Sequence, residues 1–163
     1  MKPGALLLLL CFLALPLSAQ LHFDAGLAVG MQPQESEADD PKPLVGAEAL
    51  VHNGRYGVHA AYEYASLTYA GGASATHADL VFRHTFANHF SILAGAGPTF
   101  VSVFDYGTEF TWNAEAEIAR RFGRRNDIFV RARYYDYEQT GFRDFVSPSG
   151  PAIYLGWRMA FRD

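Results

Sequence analysis

Two residues invite a chemical reading first. His89 and Ser91 flank Phe90, and at positions i and i+2 a base and a hydroxyl share one face of a strand. A turn histidine is the plainer reading of His89, because Ala87-Asn88-His89 reads as a short turn. Gly95-Ala96-Gly97 has the glycines of a phosphate cradle but neither the following lysine nor a helix, so these glycines are expected to ease strand curvature. The six histidines are scattered, with no metal-ligand spacing on any one element, and neither a metal nor a cofactor is expected. Glu35, Glu37, Asp39 and Asp40 lack the fixed spacing of a calcium loop and read as a solvated loop. Arg120, Arg121, Arg124 and Arg125 cluster around a turn, as a solvated turn or as a partner for anionic headgroups. The charges that carry most weight are Glu48, Glu63, Asp79, Arg83, Glu115, Glu117, Arg131, Arg133 and Arg158, because each falls on the polar side of an alternating segment.

Those segments are the elements that must position the charges. From Ile153 every second residue is large and apolar (Ile153, Leu155, Trp157, Met159, Phe161), while Tyr154, Gly156, Arg158 and Ala160 lie between. Period-two alternation of this kind is a strand with two unlike faces. It recurs at about 21–31, 44–52, 55–66, 76–86, 90–100, 109–122 and 128–137, giving eight strands with the last. Residues 114–121 alone have helix-forming composition, but alternation across the whole of 109–122 favours a strand. Asn53-Gly54 predicts a hairpin with a type I′ turn. Segments 32–43, 68–75, 101–108 and 138–150 are expected to be longer loops, alternating with short turns at Asn53-Gly54, 87–89 and 123–127.

The polar faces carry glycine, alanine and charges of both signs, as a cramped interior requires, whereas the apolar faces carry aromatics near both ends. Tyr56, Phe86, Phe90, Phe122 and Phe161 fall near the short turns; Tyr64, Phe110, Trp112 and Tyr134 fall near the longer loops. Two such clusters fit the interfacial girdles of a barrel whose apolar face meets lipid. The nine charges then sit four to eight residues in from the short turns, by rough count, and should pair across the lumen, since unpaired buried charge is costly.

Of 163 residues, 1–19 read as a secretory signal, with Lys2, an apolar core of about 13 residues that is too short to span a bilayer, and Leu17-Ser18-Ala19 before the cleavage point. Cys11 lies inside that core after Leu10, so lipidation is not expected. Residues 20–163 form one domain with no cysteine. The net charge is −4, or −5 once Lys2 leaves with the signal, which argues against a nucleic-acid partner.

At this point the chain resembles the small outer-membrane barrels of the OmpA/OmpX type, over essentially all of residues 20–163. Tyr154, Gly156, Met159 and Phe161 satisfy the terminal pattern that such barrels offer to their assembly machinery. The resemblance implies an all-β, eight-stranded antiparallel up-and-down transmembrane β-barrel in the cell outer membrane. Its implied partners are outer-membrane lipid, lipopolysaccharide and the barrel-assembly machinery, and it is expected to be a monomer. With no wall-binding domain following, a peptidoglycan tether is not expected. The role expected is structural or adhesive surface display around a lumen plugged by charge. The alternatives are a narrow channel for small solutes, a lipid-modifying enzyme and a soluble lipocalin-like binder. The enzyme reading resembles outer-membrane lipid A deacylases, which use a His-x-Ser pair followed by Asn; here Ile92 follows Ser91.

Overall fold

The computed structural model describes residues 21–33, 41–65, 72–136 and 151–161. The expectations placed on 1–19, on the acidic residues Glu35, Glu37, Asp39 and Asp40, and on 138–150 lie outside the described residues. Eight strands follow in chain order: β1 (His22–Gln32), β2 (Lys42–His52), β3 (Tyr56–Ala65), β4 (Ala73–Thr85), β5 (Phe90–Val103), β6 (Gly107–Phe122), β7 (Asn126–Tyr135) and β8 (Ala152–Phe161). Each pairs antiparallel with the next, and β8 returns to β1, so the barrel closes with no free edge.

Alternation sets the register of every strand. In β6 the inward Thr111, Asn113, Glu115 and Glu117 are buried, and the outward Phe110, Trp112, Ala114 and Ala116 are exposed. The helix-forming composition of 114–121 is overridden because both edges of β6 hydrogen-bond, to β5 and to β7. Outside, Phe23, Tyr56, Phe82, Phe86, Phe90, Phe122 and Phe161 ring the short-turn end. Tyr62, Tyr64, Phe100, Phe110, Trp112 and Tyr134 ring the other. Between the rings lie Leu27, Leu80, Val130 and Leu155. Aromatic neighbours reinforce the rings, with centroids 5.5 Å apart for Phe23 and Phe161 and 5.6 Å for Phe100 and Phe110.

Several boundaries differ from the sequence expectation. The expected loop at 101–108 contracts to a tight connection at 104–106, because β5 and β6 continue pairing to Val103 and Gly107. Val101 and Val103 point inward against Ala75 and Tyr135, and that burial extends the hairpin. Asp105 (φ 67°) and Gly107 (φ 108°) supply the left-handed conformations that reverse it. Gln32, Lys42, Pro43 and the run from Ala73 likewise belong to strands, so the contrast between long and short connections is weaker than expected. The hairpin at Asn53-Gly54 forms, but only Gly54 has positive φ (98°), so the I′ turn, which needs it at both central residues, is not adopted. Asn53 Oδ1 instead accepts the Tyr56 amide at 2.9 Å. At 123–127 the turn is shorter than expected: β7 begins at Asn126, which makes Asp127 an inward strand residue.

Candidate functional site

The lumen is filled by side chains in three tiers of charge. Nearest the short turns, Arg83 on β4 reaches across to Asp127 Oδ2 (3.0 Å) and Asp24 Oδ2 (3.4 Å), and Arg121 donates to Asp127 through Nε (2.9 Å) and Nη2 (3.2 Å). The Gly54 amide donates to His52 Nδ1 at 3.0 Å, and His52 Nε2 lies between Arg83 Nη1 (3.2 Å) and Asp24 Oδ2 (3.3 Å). Ser91 Oγ accepts from Arg83 Nη2 at 3.4 Å, while His89 stands exposed in the turn with φ 64°. The structure therefore gives Ser91 an arginine partner rather than a histidine one.

The middle tier is a quartet, linked to the next tier where Arg131 Nε lies 3.3 Å from Glu115 Oε2 and His59 Nε2 lies 3.4 Å from Glu48 Oε2. Arg131 donates to Glu48 Oε2 (2.7 Å) and, through Nη2 and Nε, to Glu117 Oε2 (2.5 and 3.1 Å). Arg158 donates to Glu48 Oε1 (2.7 Å) and to both Glu117 oxygens (3.0 and 2.8 Å). The two guanidiniums flank the Phe129 ring, each with its central carbon 4.6 Å from the centroid. Phe129 lies over Gly156, where an added Cβ would come within 2.6 Å of ring carbons.

The third tier lies toward the other end. Arg133 bonds both Glu63 and Glu115. The phenols of Tyr135 and Tyr154 donate to Glu63 Oε2, that of Tyr154 at 2.5 Å. His59 Nδ1 bonds Glu115 Oε1 at 2.8 Å, and Asn113 Nδ2 bonds Asp79 Oδ1 at 2.7 Å. Gly97 gives Asp79 its space, since a Cβ there would lie 2.6 Å from Asp79 Oδ1. Above this tier Ala75, Val101, Val103 and Tyr135 form an apolar cluster.

No protein-family model matches the chain, and no curated protein matches it. Solved structures do. The outer membrane protein OprG from Pseudomonas aeruginosa superposes with a TM-score of 0.58 at 11% identity, over 88% of this chain and 96% of that one. Neisserial surface protein A matches with 0.57 at 12% identity, over 86% and 97%. Ail, the attachment invasion locus protein of Yersinia pestis, solved with the heparin analogue sucrose octasulfate, matches with 0.50 at 14% identity, over 86% and 97%. The chain has the fold of the small outer-membrane β-barrels.

Within that fold, all nine charges singled out from the sequence are buried. The structure joins Glu48, Glu117, Arg131 and Arg158 in one tier and Glu63, Asp79, Glu115 and Arg133 in another, and sends Arg83 toward the turns. Of the terminal pattern, Tyr154 and Gly156 face the lumen of this outer-membrane barrel fold, and Met159 and Phe161 face outward. Asp24, His52, His59, His77, Asn113 and Asp127 complete the tiers but were absent from the sequence-based set. Their inward parity was the signal that could have found them.

Proposed function

We propose that the protein is an integral outer-membrane barrel whose plugged lumen makes it a rigid support for surface display. In this reading it is a monomer, with the short turns and both strand ends, Phe23 and Phe161, on the periplasmic side and the longer connections outside. The observation that carries it is the burial of Arg131, Arg133 and Arg158, each 0–1% exposed and each bonded to two carboxylates across the lumen. Moving one of them strands a buried charge, which is strongly unfavourable. The outward apolar belt contacts outer-membrane lipid and lipopolysaccharide. Residues 1–19 direct export, and Tyr154, Gly156, Met159 and Phe161 present the terminal pattern to the assembly machinery.

The test is electrophoresis of the membrane fraction with and without boiling, followed by planar-bilayer recording. A folded band that shifts on boiling and gives no current steps supports the plugged barrel. Steps that diminish in Arg131→Ala or Arg133→Ala would replace it with the narrow-channel reading. A soluble band with no shift would remove the membrane reading altogether. Acyl release from lipid A that ceases with Ser91→Ala would establish the enzyme reading despite the Arg83 contact.

A further inference from the structure

The third tier is short of positive charge. Among the described residues the lumen buries seven carboxylates, Asp24, Glu48, Glu63, Asp79, Glu115, Glu117 and Asp127, and they are paired by five arginines, Arg83, Arg121, Arg131, Arg133 and Arg158. With neutral histidines that leaves an excess of two negative charges. Two carboxylates match two guanidiniums in the lower tier and again in the middle one. The deficit therefore lies toward the third tier, where Glu63, Asp79 and Glu115 share Arg133 and only Glu115 also reaches Arg131, at 3.3 Å.

This tier also holds donors without partners. Asp79 is fully buried, and its Oδ2 accepts no hydrogen bond; the nearest groups are Arg133 Nη2 at 3.6 Å and His59 Nδ1 at 4.0 Å. Neither nitrogen of His77, 2% exposed, has a hydrogen-bond partner, and its ring centroid lies 6.2 Å from that of His59. His59, Asp79 and Glu115 bring one donor atom each to within 4.8 Å of one another.

We propose that His59, Asp79 and Glu115 form a site for one divalent transition-metal ion of the Zn²⁺ class inside the barrel. The outer oxygens of both carboxylates are already anchored: Asn113 holds Asp79 Oδ1, and Arg133 holds Glu115 Oε2. That leaves Asp79 Oδ2 and Glu115 Oε1 turned toward His59 Nδ1, an arrangement in which outer partners orient the ligands, and Arg133 Nη2, 3.4 Å from that nitrogen, gives way as the ion enters. The ion takes the place of the proton between His59 Nδ1 and Glu115 Oε1, and that proton moves to His59 Nε2, which lies 3.4 Å from Glu48 Oε2. Bond lengths of about 2.0–2.2 Å put tetrahedral donors roughly 3.4 Å apart, so the widest separation here closes by little more than an ångström at side-chain tips. One imidazole with two carboxylates is a borderline donor set that suits Zn²⁺ better than Ca²⁺ or Mg²⁺. A 2+ ion also cancels the charge excess.

The apolar cluster of Ala75, Val101, Val103 and Tyr135 lies between the site and the far end of the lumen, so the ion is best supplied during refolding. Barrel refolded in detergent with Zn²⁺, then dialysed, is expected to retain one zinc per chain. Asp79→Asn and His59→Gln should each weaken retention at least about tenfold. His89→Ala, which removes the exposed turn histidine, should leave it unchanged. Boiling-dependent mobility shows which variants have folded. Should both site variants fail to fold, Co²⁺-loaded wild type decides: a paramagnetic shift of the His59 ring signals supports the site, and unshifted signals overturn it. Wild type that retains no stoichiometric zinc, a folded Asp79→Asn variant that retains it fully, or retention that depends on His89 would each overturn the proposal.

Discussion

Replacing Gly156 by alanine probes how tightly the lumen is filled. A Cβ at this position would lie 2.6 Å from the Cε1 and Cε2 atoms of Phe129. Cζ of the same ring would lie closer still, and unstrained carbon contacts are about 3.5–4.0 Å, so the ring must retreat by well over ~1 Å. It has nowhere to go, because Arg131 and Arg158 flank it at 4.6 Å and are themselves fixed by Glu48 and Glu117. Overpacking of this kind costs about 1–3 kcal/mol, against which removing a strand glycine returns about 0.5–1 kcal/mol. Because the ring has no free side, the upper half of that cost applies, and the expected net loss is about 1–2.5 kcal/mol. Urea unfolding of the refolded protein, followed by the band shift on boiling, measures it. Phe129→Leu alone should also destabilise, and adding it to Gly156→Ala should restore part of the loss, with a coupling of at least about 0.5 kcal/mol. The cycle also separates two roles of Gly156. A glycine that the assembly machinery reads directly would slow assembly in cells when replaced, whether or not Phe129 is trimmed. A Gly156→Ala protein that unfolds at the wild-type urea concentration, or a double variant that is simply additive, would refute the packing argument.

Two further substitutions test the inside and the outside. Glu48→Gln leaves Arg131 and Arg158 each short of a charged partner and should cost about 3–5 kcal/mol; an unfolding free energy within about 1 kcal/mol of wild type would mean that water or a neighbour replaces the carboxylate. Leu80→Arg puts charge on the exposed belt between the aromatic rings (Leu80 is 50% exposed) and should cost about 2–4 kcal/mol on transfer into bilayers. Equal stability of this variant and wild type in lipid vesicles would show that the belt does not face lipid.

Alternation made the strands and their faces legible, because a buried charge has only one tolerable side of each strand. Glu115 and Glu117 could be placed inside, despite helix-forming neighbours, by that rule alone. The hairpin tip was harder. Val101 and Val103 keep the alternation, but Phe104, Asp105, Tyr106 and Gly107 read as loop, and only burial against Ala75 and Tyr135 shows that pairing persists. Asp127 was hidden for a related reason: it follows Arg124, Arg125 and Asn126, where no apolar alternation marks the start of a strand. The cluster of His59, Asp79 and Glu115 spans β3, β4 and β6. Ligand spacing along one segment therefore cannot reveal it, although the inward parity of each member could be read.

The same lumenal charges have a consequence before the barrel exists. Between Glu63 and Asp105 the only Asp, Glu, Lys or Arg residues are Asp79 and Arg83, both inward. An unfolded, exported chain without those two would present an uncharged stretch longer than the roughly 20 residues that cross a bilayer as a helix. Asp79→Leu combined with Arg83→Leu is therefore expected to arrest the chain in the inner membrane. Asp79→Asn combined with Arg83→Gln loses the same ion pairs with Asp127 and Asp24 but stays polar, so it should be exported and fail only at folding. Density-gradient fractionation distinguishes the two. Were the leucine variant to reach the periplasm as the polar one does, the charges would serve the folded lumen alone, and the even spread of polarity that gives the chain a mean hydropathy of −0.02 would owe nothing to export.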